Sequence, residues 1–203
     1  MCIRDRAEAS YTKAIALKPD YAEAHSNLGN TLKELGRFNK AEASYTQAIA
    51  LKPAYAEAHS NLGVTLKELG RLDEVEACYN QAIALKPDYA RAHSNLGATL
   101  QEQGRLDEAA TSYNRAIALQ HDFAEGYSNL GATLQELGRL EEAEASYTQA
   151  IALKPDYAEA YSNMGVVLYI SGDIDSALVS MKKANSIDSN LSLIHISEPT
   201  RPY

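Results

Sequence analysis

One residue type with hydrogen-bonding chemistry recurs at a fixed interval of 34 residues, at Asn27, Asn61, Asn95, Asn129 and Asn163. A primary amide carries two N–H donors and a carbonyl acceptor, so one asparagine can bond both the N–H and the C=O of an extended peptide. A row of such amides would hold a peptide main chain without reading its side chains. Two other interpretations remain open: each amide bonds a neighbouring helix, or recent duplication copied the residue without selection.

Neighbouring positions support a binding role for this row. Glu23, Asn27, Asn30 and Glu34 follow one another at steps of four, three and four, which places them on one face of a helix. Two positions on or beside this face vary between repeats: Asn30 becomes Val64, Ala98, Ala132 and Val166, and Lys33 becomes Lys67, Gln101, Gln135 and Tyr169. The asparagine row is retained although its neighbours differ. We therefore predict a peptide-binding surface formed by Asn27, Asn61, Asn95, Asn129, Asn163, Asn30, Lys33 and Lys67.

The histidines and cysteines do not form a pattern typical of catalysis or metal binding. His25, His59 and His93 occupy equivalent positions 34 residues apart, and such positions in stacked helix pairs lie roughly 10 Å or more from one another, too far to share a metal ion. Tyr127 and Tyr161 take the same place later in the chain, which indicates a packing role. No arrangement of nucleophile, base and orienting acid recurs. The sequence predicts no enzyme activity, no metal site and no cofactor for this chain.

The elements that position these residues are read from the repeat itself. In residues 22–55 the leucines Leu28, Leu32 and Leu35 have helical spacing, and Gly36 ends that helix. A second amphipathic run, NKAEASYTQAIAL, follows and ends before Pro53. Each unit is therefore predicted to be a pair of helices joined by tight turns, and small residues such as Gly29 are expected to let the paired helices approach closely.

Helix starts are predicted from Asp-x-x-Glu boxes, in which the two carboxylates cap exposed backbone N–H groups. The boxes begin at Asp20, Asp122 and Asp156. Ala54 and Arg91 interrupt the box in the two remaining repeats. Those two helices are expected to fray more than the others.

The spacing resembles the tetratricopeptide repeat, whose signature positions are matched by His25, Leu28, Gly29, Leu32, Ala41, Tyr45, Ala48 and Pro53. The resemblance implies an all-α fold, a right-handed α-α superhelix of antiparallel helix pairs, with the first helix of each pair lining a concave groove. It divides the chain into a half repeat at 7–21, of which only the second helix is present, and units at 22–55, 56–89, 90–123, 124–157 and 158–190.

Within that family, two subfamilies give contrasting expectations. The asparagine row and the phrase AEAHSNLGNTLKELGR are similar to the repeat arm of protein O-GlcNAc transferases, in which such a row grips acceptor proteins. This resemblance implies a substrate-recruiting arm whose catalytic domain is missing from the chain. Chaperone-tail adaptors instead use a clamp lysine at the position that serine holds here, so that role is disfavoured; the serines are Ser26, Ser60, Ser94, Ser128 and Ser162.

Both ends depart from the repeat pattern. Met1 to Asp5 can be written as ATGTGTATAAGAGAC, and the reverse complement, read one base later, encodes Ser192 to His195. The ends also resemble translated transposon adapter DNA from sequencing libraries. We expect residues 1–6 and 191–203 to be foreign to the natural protein, so that Cys2 and His195 carry no function.

Composition narrows the class of partner. The formal net charge of −8 disfavours nucleic acid, which requires a clustered basic surface, and no apolar run is long enough to cross a membrane. We expect a soluble, cytoplasmic protein-interaction module that binds a protein or peptide segment, without a small-molecule substrate. The truncated half repeat leaves an apolar face uncovered, so self-association would follow from truncation.

Overall fold

The structure is a computed structural model, which describes residues 3–188. Within this range eleven α-helices follow one another, and their bounds are α1 Ile3–Leu17, α2 Ala22–Glu34, α3 Phe38–Leu51, α4 Ala56–Glu68, α5 Leu72–Leu85, α6 Ala90–Glu102, α7 Leu106–Leu119, α8 Ala124–Glu136, α9 Leu140–Leu153, α10 Ala158–Ile170 and α11 Ile174–Ile187. The all-α fold class predicted from the repeat is confirmed. Cys2 and residues 191–203, which the sequence sets apart as foreign, lie outside the described residues.

The helices form two compact units, described over residues 3–119 and 120–188. In the first unit, α2 pairs with α3, α4 with α5, and α6 with α7, and successive pairs stack through α3 on α4 and α5 on α6. The half repeat contributes α1, which packs on α2. In the second unit, α8 pairs with α9 and α10 with α11, and α9 stacks on α10. Each unit is thus a short solenoid of antiparallel helix pairs.

Helix α1 begins earlier than the half repeat predicts. The expected start is Ala7, whereas the helix runs from Ile3 to Leu17. Extending an existing helix adds one hydrogen bond for each residue fixed, and residues 3–6 contain neither Gly nor Pro to stop it. The Arg4 guanidinium also donates to the backbone carbonyl of Glu34, 3.3 Å away.

Tyrosine rings fill the space between the paired helices. Each ring packs against the backbone of a glycine, which has no side chain. Tyr45, Tyr79, Tyr113 and Tyr147 are at most 1% exposed. A Cβ atom built on Gly29 would lie 2.7 Å from Cε1 of Tyr45, closer than packed atoms can approach. The prediction that glycine permits close helix approach is therefore confirmed, and the reason is the tyrosine ring packed against it.

The first helix of each repeat ends at a glycine in the left-handed conformation. Gly36 has a φ of +70°, a value that residues with a Cβ atom rarely adopt. Its N–H donates to the Lys33 carbonyl at 2.9 Å, and the Arg37 N–H donates to the Leu32 carbonyl at 2.9 Å. This pair of bonds satisfies two carbonyls that the helix end would otherwise leave exposed.

The predicted capping boxes are wrong. Helix α2 has Tyr21 as its N-cap residue, with no side-chain bond to the helix start. Asp20 instead lies in a turn that the Tyr21 N–H closes on the Lys18 carbonyl at 3.2 Å, and this turn starts the helix one residue later than the box requires. The Glu23 carboxylate binds Lys52 at 2.9 Å and also accepts from its own backbone N–H, which is not the reciprocal cap that the box requires. Ala54 and Arg91 therefore interrupt no cap, and the expectation of extra fraying loses its basis.

Ion pairs between successive repeats were not foreseen from the sequence. Each joins an arginine in the turn between the two helices of one repeat to a glutamate 29 residues earlier; the pairs are Arg37–Glu8 at 2.8 Å, Arg71–Glu42 at 2.6 Å and Arg105–Glu76 at 2.7 Å. Both partners in each pair are partly exposed, so each pair contributes little stability by itself. They link successive repeats of the first unit.

Candidate functional site

The asparagines of the predicted row lie on the first helix of each pair and are all half-buried: Asn27, Asn61 and Asn95 in the first unit, Asn129 and Asn163 in the second. The backbone carbonyls of the first four accept a bond from a threonine hydroxyl one helical turn later, at 2.9–3.0 Å. The side-chain amides of three of them, Asn27, Asn95 and Asn129, make no hydrogen bond within residues 3–188. These three amides are available to a ligand.

The other two amides have partners in the protein. Asn61 donates through Nδ2 to Oδ1 of Asn30, 3.1 Å away, and the Tyr45 hydroxyl donates to the same oxygen at 2.7 Å. In the second unit, burial raises the pKa of Tyr147 well above its usual value, and a hydrogen bond with Asn163 acts in the opposite direction. The interpretation in which asparagine bonds a neighbouring helix therefore applies to Asn61 and Asn163.

The buried tyrosines reach this same face with their hydroxyl groups, which sequence reasoning missed. Where the repeat has Asn30, the Tyr45 hydroxyl bonds it. Where alanine replaces that asparagine, the hydroxyl bonds a glutamine one turn later: Tyr113 to Gln101 Oε1 at 3.3 Å and Tyr147 to Gln135 Oε1 at 3.5 Å. The sequence signal was that each of these repeats has an amide residue at one of two positions, either Asn at the first or Gln three residues later. A buried hydroxyl requires an acceptor, and either amide provides one.

The two candidate lysines are in different environments. Lys67 forms an ion pair with Glu102, with Nζ 2.6 Å from Oε1. Lys33 is half-buried and makes no ion pair or hydrogen bond within residues 3–188. Burial lowers the pKa of its ammonium group. The positive charge of Arg91 lowers this pKa further, whereas the carboxylate of Glu34 raises it. Arg91, on α6, therefore lies near enough to Lys33, on α2, for its charge to act there.

Arg91 changes the charge of this face. Glutamates at the equivalent position of the two preceding repeats pair with lysines: Glu23 with Lys52 at 2.9 Å and Glu57 with Lys86 at 3.3 Å. Arg91 is exposed and has no ion-pair partner within residues 3–188. The face in the first unit therefore carries two unpaired cations although the chain as a whole has a formal net charge of −8.

The recurring histidines have a structural role. The Nε2 atoms of His25, His59 and His93 lie 3.0–3.1 Å from the carbonyl oxygens of Pro19, Pro53 and Pro87. A carbonyl only accepts, so Nε2 carries the proton and donates. Each histidine thus fastens a first helix to the turn that precedes it. Within residues 3–188 no three His, Cys, Asp or Glu side chains come together as a metal site would require.

Cys78 is also unsuited to chemistry. Its side chain is half-buried, and burial raises the pKa of the thiol to about 11. Since the thiolate is the reactive form, the sulfur is protonated and unreactive at neutral pH.

Family models match nearly the whole described chain. A TPR-repeat model matches residues 5–36, 29–70, 65–104, 100–138 and 136–172, and a tetratricopeptide-repeat model matches residues 158–191. The chain belongs to the tetratricopeptide repeat family. A search of curated protein sequences gives no significant match.

Solved tetratricopeptide structures are similar in fold. YrrB, described as a TPR protein with an unusual peptide-binding site, is 24% identical with a TM-score of 0.73, over 89% of this chain and 93% of its own. MamA from Desulfovibrio magneticus RS-1 is 19% identical with a TM-score of 0.76, over 84% and 97%. The type IV pilus biogenesis factor PilW is 24% identical with a TM-score of 0.83, over 93% and 87%. At these identities the similarity establishes the fold.

The tetratricopeptide fold also explains the serines at the clamp position. Ser26, Ser60, Ser94 and Ser128 are at most 6% exposed, so they pack inside the helix pairs and do not reach a ligand. Among the described residues, none of the tetratricopeptide helices is long and apolar enough to span a bilayer.

Proposed function

We propose that this chain is a protein-interaction scaffold that binds an extended protein segment along its amide face. Each unit has its own amide face, the surface of its first helices, which carries Asn27, Asn61 and Asn95 in the first unit and Asn129 and Asn163 in the second. The full candidate set adds Asn30, Lys33 and Lys67. The segment would lie across successive first helices of one unit and bond through its main chain.

The proposal is supported by side-chain amides that have no hydrogen-bond partner in the protein. Asn27, Asn95 and Asn129 are half-buried and lack hydrogen-bond partners within residues 3–188. A partly buried polar group without a protein partner costs folding free energy unless water or a ligand satisfies it. An extended peptide has an N–H and a C=O at every residue and can satisfy both functions of each amide.

The ligand proposed is protein and not nucleic acid. Only Lys33 and Arg91 are unpaired cations on the first unit's part of this face, and the formal net charge of the chain is −8. Nucleic-acid binding requires several cations to displace counterions from successive phosphates. Amides without charge suit a peptide main chain better.

The test uses a peptide selected on the wild-type chain from a random, phage-displayed twelve-residue library, then synthesised with a fluorescein label. Replacing Asn27, Asn95 and Asn129 together by Ala should weaken its binding at least tenfold, since each neutral bond contributes about 1 kcal/mol. Circular dichroism should show unchanged helix content. The matched control replaces Asn39, Asn80 and Asn114, exposed asparagines on second helices, by Ala. Equal loss in both variants, or none in either, would contradict the proposal.

A second candidate function is that of a substrate-recruiting arm of a protein O-GlcNAc transferase or a similar transferase. The unpaired amides of Asn27, Asn95 and Asn129 favour it, because that arm grips acceptor proteins with such a row. On this proposal the chain itself is not catalytic, and residues 1–6 and 191–203 derive from adapter DNA. Recovery of the intact gene tests it: a sugar-nucleotide-binding domain after the repeats supports the transferase, and a stop codon soon after them opposes it.

A further inference from the structure

The hydroxyl of Tyr79 is the exception among the buried tyrosines. Its counterparts in three other repeats donate to an amide oxygen of their own first helix. In this repeat the two acceptor positions hold Val64, which has no polar group, and Lys67, which has only donors. Lys67 is in addition bound to Glu102. The Tyr79 hydroxyl makes no hydrogen bond to any residue of the described range.

The small exposed part of Tyr79 lies at its hydroxyl. Tyr79 is 1% exposed, yet among the described residues the only fully buried side-chain N or O atom without a partner is Oγ of Ser60. The Tyr79 oxygen must therefore be the part of the side chain that solvent reaches. Equivalent hydroxyls reach the amide face beside Asn30 and Asn163, so this one opens on the same face, beside the unpaired amide of Asn95.

We propose that the Tyr79 hydroxyl and the Asn95 amide together bind a main-chain carbonyl of the segment held on the amide face, between the second and third repeats. The inference rests on the proposed peptide-binding function and assigns its anchoring point. A neutral carbonyl is favoured over a carboxylate because Glu102 lies close enough for its charge to act on Tyr79. Tyr79 is thereby a residue that positions the segment along the solenoid.

The test compares two tyrosines that differ only in what their hydroxyls bond. Tyr79→Phe removes a hydroxyl without a protein partner, so the thermal unfolding midpoint should stay within about 1 °C of the wild type. Binding of the selected, fluorescein-labelled twelve-residue peptide should weaken roughly three- to tenfold, as expected for loss of one neutral hydrogen bond. Tyr113→Phe, which loses its bond to Gln101, should lower the midpoint by about 2–4 °C and change the dissociation constant less than twofold.

A second variant keeps the Tyr79 hydroxyl but gives it a hydrogen-bond partner within the protein. Val64→Asn introduces the residue that repeat one has at Asn30, a side chain this fold already accommodates. The new amide oxygen should accept from both Tyr79 and Asn95, as Asn30 accepts from Tyr45 and Asn61. This should raise the unfolding midpoint and weaken the peptide more than Tyr79→Phe does. In the double variant, Val64→Asn should still weaken the peptide, because the new oxygen continues to occupy the Asn95 amide.

Failure of this inference and failure of the proposed function give different results. If the triple asparagine variant loses affinity while Tyr79→Phe binds the peptide like the wild type, the anchoring role of Tyr79 is overturned and the amide face remains. If Tyr79→Phe weakens binding while the triple variant does not, the role of the asparagines is overturned instead. If the library yields no binding peptide, both are overturned.

Discussion

The backbone of Gly63 lies against the ring of Tyr79, so closely that a Cβ atom on residue 63 would be 2.8 Å from Cε1. The ring cannot retreat, because it is itself almost completely buried between two helices. The same contact joins Gly29 to Tyr45, Gly97 to Tyr113 and Gly131 to Tyr147. It is the contact that sets how closely the two helices of each of these repeats approach.

Gly63→Ala should therefore destabilise the chain by about 1–3 kcal/mol, the usual effect of inserting a methyl group into a packed core. Chemical denaturation followed by circular dichroism measures the change. Gly165→Ala is the comparison variant, because the nearest side chain there is the flexible Met181 instead of a ring, with the Ala177 carbonyl oxygen next at 3.3 Å from the added Cβ. A cost at Gly165 equal to or greater than that at Gly63 would show that ring packing is not the cause.

Gly70→Ala tests a different property of glycine. Gly70 has a φ of +73° and no atom within 4 Å of an added Cβ, so only backbone strain opposes the substitution. We expect a loss of about 1 kcal/mol, and a smaller loss for Gly70→Asn because asparagine tolerates the left-handed conformation better. Denaturation midpoints of the two variants measure this order. Equal stability of wild type and Gly70→Ala would exclude the helix end as the reason for glycine here.

Asp173 caps helix α11, whereas Asp20 caps nothing. The Asp173 carboxylate accepts from the Ser176 N–H at 3.1 Å, and this hydrogen bonding lowers the pKa of Asp173. Asp173→Ala should lower the thermal midpoint, and Asp20→Ala should leave it unchanged. A group with a lowered folded pKa stabilises above its unfolded pKa of about 3.9, so the difference between Asp173→Ala and wild type should shrink as the pH falls through the folded value. A difference that stays constant down to pH 2 would contradict this account.

The buried tyrosines predict how the chain responds to alkali. Burial raises the pKa values of Tyr45, Tyr79 and Tyr147 above those of solvent-exposed tyrosine. Their neutral forms therefore stabilise the fold fully below the unfolded pKa of about 10, and this contribution is lost as the pH rises through the folded values. Absorbance at 295 nm should show exposed tyrosines ionising first and the buried ones only as helix content falls. Ionisation of all tyrosines near pH 10 with the helices intact would refute the prediction.

The sequence was sufficient to predict the helix pairs, and the reason is periodicity. Gly36 and Pro53 mark the ends of successive helices, and the leucine spacing between them identifies the buried stripe. These local features recur from repeat to repeat, so the helices assigned in one repeat support those assigned in the others. The asparagine row was predicted on the first helices for the same reason, and the structure has it there.

The local sequence pattern was insufficient where a shift of one residue in the helix start decides which groups come into contact. Asp20 and Glu23 have the spacing of a capping box, but the turn before α2 shifts the helix start by one residue and directs Glu23 to Lys52. The ion pairs of Arg71 and Arg105 with glutamates of the preceding repeat were likewise invisible, because they join residues 29 positions apart.

Sequence by itself therefore determined the repeat, its helices and the face that carries the asparagines, because these depend on spacing along one chain. Only the tertiary structure decided which polar groups on that face are already bonded. Asn61 is bonded to Asn30, whereas Asn95 and the Tyr79 hydroxyl have no partner within the described residues. That distinction depends on distances between side chains of different helices, which a single helical period does not contain.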